Sequence, residues 1–373
     1  MVRPKILLFF EYGTLNGGEL SMLAMLEALG QKEFEFVAAA PASGMLPGRL
    51  EQCGVQFLPL KLRHTRRQRQ ATDQINSHLL ELVRRVSPDL VHSNSLSMGR
   101  LVGRVASQMP IPCTAHLRDI IKLSKRAVCD LNQNAGLIAV SNATREFHVE
   151  QGLLSDKLRV IYNGVDTELF RPAPATGVLK QQLGLNDGSV LLANIGQICL
   201  RKGQTLLAQA AARLAREFPE ANCLFIGQRH SEKSESVAYE NDIAQIFREA
   251  GIEDRLFCLG FRQDVPLILN EVDLLVHTAH QEPLGRVLLE AASCGRPIVA
   301  TKVGGTAEIL TDDVSALLVR PGDHESLTAA TRRMLTDHEL GIRLGREART
   351  VAVDKFSLPK AAANMAAFWK SFL

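Results

Sequence analysis

The sequence predicts an α/β protein of two doubly wound parallel-sheet domains, and three observations carry that expectation. Short apolar runs alternate with amphipathic stretches of helical length. The runs are nearly continuous, as expected of strands covered on both faces. The alternation stops in a turn-rich stretch and then restarts within 373 residues, a length that allows two to three domains at roughly 150 residues each.

In the first half, strand runs fall at 5–10, 35–40, 55–60, 90–93, 111–116, 136–140 and 158–162, with helical patterns at 18–29, 72–86 and 98–107. Residues 163–188 carry Asn163-Gly164, Pro172, Pro174, Gly177, Gly184 and Gly188, a linker composition. Strand runs resume at 189–195, 222–226, 256–259, 273–278, 297–300 and 316–319, with helices at 204–217 and 236–250. An apolar-faced helix follows at 358–372. The expected division is 1–170, 171–355, and a helix in 356–373 that packs back onto the first domain. Doubly wound sheets bind ligands at the carboxyl ends of their strands, so two of them suggest a ligand in a central cleft.

Composition excludes several classes. With 46% hydrophobic residues and a net charge of +3, the chain is not disordered. Seven cysteines, an odd number without any C-x-x-C, fit a reducing compartment better than a disulfide framework. No apolar run approaches the roughly 18 residues of a membrane span. The opening, which places Glu11 soon after its apolar run, reads as a core strand rather than a signal peptide. The expectation is a cytoplasmic protein.

The charge is uneven. Residues 1–172 carry 21 Lys and Arg against 16 Asp and Glu. The stretch 61–69 explains the excess, with Lys61, Arg63, Arg66, Arg67 and Arg69 and no acid. It lacks the stacking aromatics of a nucleic-acid binder, so nucleic acid is not an expected partner.

Much familiar chemistry is missing. No G-x-G, no Gly-Lys, no H-E-x-x-H and no G-x-S-x-G occurs. His277 and His280 have no further histidine or cysteine nearby to complete a zinc site. No D-x-D exists to hold a phosphate-bridging Mg²⁺, so a bound diphosphate must be met by Lys, Arg and backbone amides.

Groups suited to that task sit at strand–helix junctions. Gly13 to Gly18 follows the first strand and opens the first helix, where free N–H groups face an anion; an ordinary tight turn explains these glycines equally well. Arg201 and Lys202 follow the first strand of the second half, a fork of donors beside a point charge. The fullest feature runs from Val272 to Ala300: a strand, a loop with Glu282, Pro283, Leu284 and Gly285, then a helix with Glu290. The spacing of the two glutamates recurs elsewhere, as in Glu11 and Glu19. The strand–loop–helix setting is what distinguishes the pair.

This segment resembles the signature of the retaining family 4 glycosyltransferases, and ordered matches extend over nearly the full chain. They include NGGEL (16–20), LVHSNS (90–95), AHLRD (115–119), VIYNGVDTELFRP (160–172), NIGQICLRKG (194–203), LGFRQDV (259–265), EPLGRVLLEAASCGRPIVAT (282–301) and VGGTAEIL (303–310). The resemblance implies the GT-B fold, two Rossmann-like domains facing a cleft. It implies that Glu290 binds the nucleotide ribose and Glu282 a hydroxyl of the donor sugar. Arg201 and Lys202 would neutralise the leaving diphosphate with amides at Leu284, Gly285 and Gly17, next to Gly18. Arg262 falls where the family borders the nucleobase, and His116 matches a histidine facing the donor sugar. Gln197 stands where the family often has arginine, which removes one cation from the phosphate region. Leu284 replaces a frequent phenylalanine.

The implied activity is hexosyl-type transfer from a nucleoside diphosphate sugar to an acceptor hydroxyl, with retention and without a cofactor or divalent metal, in glycan, polysaccharide or glycolipid synthesis. Asn94, Arg118, Arg66 and Arg67 are the candidates for a sugar or lipid-linked acceptor. The basic stretch also suits peripheral attachment to the anionic inner face of a membrane. Two other classes stay open on the residues: a nucleotide-sugar epimerase of like architecture, and a sugar-nucleotide-binding protein without catalysis.

Overall fold

The computed structural model describes residues 3–30, 32–62 and 71–373. The chain divides into two compact units, Met1–Gly164 with Leu358–Leu373, and Val165–Ser357.

The first unit alternates β1 (Lys5–Phe9), α1 (Gly17–Leu29), β2 (Glu35–Ala40), α2 (Leu46–Gln52), β3 (Gln56–Pro59), α3 (Thr72–Val86), β4 (Leu90–Ser93), α4 (Leu96–Gly103), β5 (Cys113–Leu117), α5 (Lys125–Asn132), β6 (Gly136–Ala139), α6 (Asn142–Glu150) and β7 (Leu158–Val160). Among the described residues these strands form one parallel sheet in the order β3-β2-β1-β4-β5-β6-β7. Strands β4, β5 and β6 are buried throughout, which is why they read as unbroken apolar runs. Because β1 pairs with both β2 and β4, the winding reverses between β1 and β4. At such a point the two flanking loops part and leave room for a ligand.

The second unit contains α7 (Val178–Gln182), β8 (Val190–Ile195), α8 (Gln204–Leu214), β9 (Ala221–Ile226), α9 (Ser234–Glu249), β10 (Leu256–Gly260), α10 (Val265–Glu271), β11 (Leu274–His277), α11 (Arg286–Ser293), β12 (Ile298–Thr301), α12 (Thr306–Ile309), β13 (Leu317–Val319), α13 (His324–Thr336) and α14 (His338–Phe356). Its parallel sheet runs β10-β9-β8-β11-β12-β13, with the reversal between β8 and β11. Helix α7 lies inside the stretch that the sequence reads as linker. Its five residues are flanked by glycines, yet Leu179 is fully buried against Leu191, Ala193 and Ile268, which fixes it.

Helix α15 (Leu358–Lys370) belongs to the first unit. Its Met365, Phe368 and Trp369 enter the core formed by β1, β2 and α1. Trp369 is fully buried, edge-on to Phe34 at 5.7 Å between ring centroids and to His92 at 5.4 Å. All seven cysteines are free thiols. Among the described residues no helix is long and apolar enough to cross a membrane.

Candidate functional site

In the second unit the loops after β8 and β11, the strands flanking the reversal, are bonded to each other. The turn Leu200–Lys202 follows β8. Its Arg201 carbonyl accepts from the His280 amide at 2.8 Å, and its Lys202 carbonyl accepts from the Thr278 hydroxyl at 2.9 Å. Arg201, an exposed side chain, donates from Nη1 to the Gln281 carbonyl at 3.1 Å. Lys202 Nζ donates to Glu282 Oε2 at 2.5 Å, and His277 Nε2 lies 3.1 Å from the same oxygen.

Glu282 is 6% exposed. Burial alone would raise its pKa, but the Lys202 charge and the His277 hydrogen bond outweigh burial and hold the carboxyl well below the usual range. Burial lowers the pKa of His277, with Lys202 adding repulsion against the pull of Glu282. A neutral His277 therefore donates from Nε2, and its buried Nδ1 has no partner among the described residues. Both donors hold Oε2, and this fixes the carboxylate plane.

The loop continues through buried Leu284 to Gly285, which precedes α11 at φ 102. That backbone favours glycine, and a Cβ here would also lie 2.7 Å from Leu288 Cδ1. The first turn of α11 thus presents amides without intrahelical partners. One turn further, Glu290 is buried and takes Arg286 Nε on Oε1 at 2.6 Å. Burial raises its pKa, with Arg286 opposing. The Gln197 carbonyl accepts from Gln204 Nε2 at 2.9 Å. Arg262 pairs with Asp264 through Nε and Nη2 at 2.8 and 2.5 Å beside the end of β10, separate from these contacts.

In the first unit, polar groups collect after β1, β4 and β5. Asn94 Nδ2 donates to the Gly18 carbonyl at 3.1 Å, while Asn94 Oδ1 accepts Arg118 Nη2 at 2.8 Å. Arg118 also donates from Nε to the Asn94 carbonyl, from Nη1 to Asn163 Oδ1 and from Nη2 to His116 Nδ1, at 3.1, 2.8 and 3.1 Å. Since a guanidinium only donates, His116 Nδ1 accepts and its proton sits on Nε2. Burial first, then the Arg118 charge, lowers the His116 pKa well below its ordinary value. A Cβ on Gly18 would meet Arg118 Cδ at 2.9 Å, whereas a Cβ on Gly17 meets nothing within 4 Å.

The structure thus brings Arg201, Lys202, Glu282, Leu284, Gly285 and Glu290 together in one unit, and Gly18, Asn94, His116 and Arg118 in the other. Asn94 and Arg118, expected as acceptor contacts, have their polar groups occupied inside the unit, bracing the turn that holds Gly18. Arg66 and Arg67 lie outside the described residues. The sequence assigns no role to the side chains of His277, Arg286 or Asn163. The Arg286–Glu290 pair was readable from its i,i+4 spacing. Asn163 meets Arg118 across 45 positions, and His277 meets Glu282 five positions on across an irregular loop, so neither pairing follows a helix or strand period. No group of three or more His, Cys, Asp and Glu among the described residues is placed to hold a metal ion.

Two Rossmann-like parallel-sheet units, each with its polar cluster at the reversal of strand order, make this a GT-B protein. Family models match in succession: "Glycosyltransferase Family 4" over residues 15–169 and "Glycosyl transferases group 1" over residues 177–351. The chain belongs to the family 4 glycosyltransferases, hexosyl-type transferases that draw on nucleotide sugars. It is 25% identical over 364 residues to the UDP-Gal:alpha-D-GlcNAc-diphosphoundecaprenol alpha-1,3-galactosyltransferase of Escherichia coli, covering 93% of this chain and 91% of that one. It is also 25% identical over 295 residues to the N-acetyl-alpha-D-glucosaminyl L-malate synthase of Bacillus anthracis, covering 76% and 75%. The fold matches Anabaena Alr3699/HepE in complex with UDP and glucose at a TM-score of 0.88 and 24% identity, covering 99% of this chain and all of that one. It matches WaaG, a glycosyltransferase involved in lipopolysaccharide biosynthesis, at 0.75 and 17%, covering 97% and 99%.

Proposed function

We propose that this glycosyltransferase moves a hexosyl group from a UDP-sugar to an acceptor hydroxyl with retention of anomeric configuration. The observation that carries the reading is the Lys202–Glu282–His277 contact at the reversal point of the second sheet. It places a cation and an oriented carboxylate beside the amides that open α11. Glu290 accepts from the ribose hydroxyls, and Glu282 accepts from a hydroxyl of the donor sugar through Oε1. The uracil choice is supported by the UDP-Gal donor in the name of the Escherichia coli relative, and Arg262 borders the base.

In the transfer, the acceptor oxygen bonds to the anomeric carbon on the face that the diphosphate leaves. The bond from that carbon to the diphosphate oxygen breaks, and UDP departs with the electron pair. The acceptor proton passes to the departing phosphate oxygen. Arg201, Lys202 and the amides at Leu284, Gly285 and Gly17 stabilise the charge as it develops, which makes a divalent ion unnecessary. His116, held as the Nε2–H tautomer, is assigned to the donor sugar. The acceptor is a sugar or a lipid-linked sugar, attracted by the basic stretch that contains Arg66 and Arg67. Through the same stretch the protein attaches to an anionic membrane surface.

The test is calorimetric titration with UDP, GDP and ADP, then a transfer assay with matching sugars in the presence of EDTA. Binding of UDP ahead of the others, and UDP release only when acceptor is added, are expected. Release without acceptor and without a glycosylated product would overturn the proposal.

A further inference from the structure

Arg286 occupies a place that local electrostatics disfavours in three ways. It is the first residue of α11, where the helix dipole repels a cation. Its ion pair with Glu290 runs from Arg at i to Glu at i+4, the weaker of the two orientations. Its Nη1 is buried and has no hydrogen-bond partner among the described residues, an arrangement that costs free energy in a charged donor. The side chain keeps 32% of its surface exposed, so Arg286 is open to an approaching ligand although Nη1 itself is covered. A phosphate at the start of α11 offsets the first of these three liabilities, since its negative charge counters the repulsion between dipole and cation, and it gives the guanidinium a further acceptor.

We infer that Arg286 is a donor-binding residue of this enzyme that contacts a phosphate oxygen of the nucleoside diphosphate while its Nε holds Glu290. This rests on the donor reading above. It also gives the phosphate region a cation where Gln197, at the end of β8, supplies none. The arrangement joins two parts of the ligand: one guanidinium reads the phosphate and orients the carboxylate assigned to the ribose.

A double-mutant cycle on UDP affinity separates contact from mere positioning. Arg286→Gln is expected to weaken UDP binding by about tenfold or more, and Arg286→Lys, which keeps the charge, by only about threefold. In an Glu290→Gln background, Arg286→Gln is expected to cost the same again. If that second loss vanishes, Arg286 serves only to position Glu290, and the inference fails. It fails equally if Arg286→Gln leaves UDP affinity unchanged in the otherwise native protein. A native protein that binds GDP or ADP instead takes the cycle with that diphosphate. One that binds none of the three overturns the donor reading itself, an outcome visible before any variant is made.

Discussion

Lys202 Nζ and Glu282 Oε2 stand 2.5 Å apart although 80 positions separate the two residues in the chain. The pair exists because β8 and β11 are sheet neighbours whose following loops meet. Removing the ammonium leaves a buried carboxylate supported by His277 alone. Lys202→Met should lower kcat by about 10²–10³-fold, as loss of a preorganised charge does elsewhere. Steady-state transfer kinetics measure this, and a change in KM alone would contradict the assignment.

His277 should act through Glu282. In His277→Phe the Glu282 carboxylate is free to pivot about Lys202, so affinity for the UDP-sugar should fall by about tenfold while affinity for UDP stays within about twofold. Paired titrations with the two ligands make the comparison. Equal losses on both would contradict it.

A pH effect follows from His92. Its Nδ1 lies 2.9 Å from Thr114 Oγ1, which donates to the Val91 carbonyl at 3.1 Å, so His92 is the donor of that pair. Burial, reinforced by the Arg118 charge, lowers the His92 pKa from 6.5 to about 3. The unfolded chain takes up this proton first as pH drops. The stability due to neutral His92 is thus complete above pH 6.5 and is lost as pH falls toward 3, at a limiting slope of about 1.4 kcal/mol per unit. In His92→Gln the slope between pH 6 and pH 4.5 should be shallower than in the native protein. Parallel denaturation profiles would exclude His92 as a source.

Gly17 and Gly18 should respond oppositely to alanine. Nothing lies within 4 Å of a Cβ at Gly17, so Gly17→Ala should fold with stability equal or higher by up to about 1 kcal/mol. The added methyl would stand where the diphosphate approaches the amide, and UDP affinity should drop. Gly18→Ala forces Arg118 Cδ away from 2.9 Å and should destabilise by about 1–3 kcal/mol. Thermal melts and titrations of both variants test the contrast.

The strands were legible because burial on both faces writes each as an unbroken apolar run, as in β4 and β6. The reversal points between β1 and β4 and between β8 and β11 were not legible, since strand order is set by crossovers that leave no local pattern. Arg201, Lys202, Glu282 and Glu290 stand out in the sequence through their place at strand–helix junctions, and all four lie in the second unit. The role of His277 does not, because a histidine ending a buried strand has the same sequence appearance whether it holds a carboxylate or merely packs. Asn94 and Arg118, candidates for the acceptor, make contacts that no local pattern announces: the fold engages Asn94 with Gly18 and Arg118 with Asn94, His116 and Asn163. Helix α7 was hidden by its glycine-rich flanks, although one buried leucine suffices to anchor it.

Trp369 has a consequence for biosynthesis. Truncating it to alanine should cost about 3–5 kcal/mol, but its position matters as much as its size. The ribosome makes β1 to β7 first, yet the core beneath β1 and β2 is sealed by a side chain about 200 residues downstream of β7. The second unit, continuous from Val165 to Ser357, emerges whole before that. The earlier-made half must therefore wait, with Phe34 and Phe36 uncovered, until α15 has left the exit tunnel.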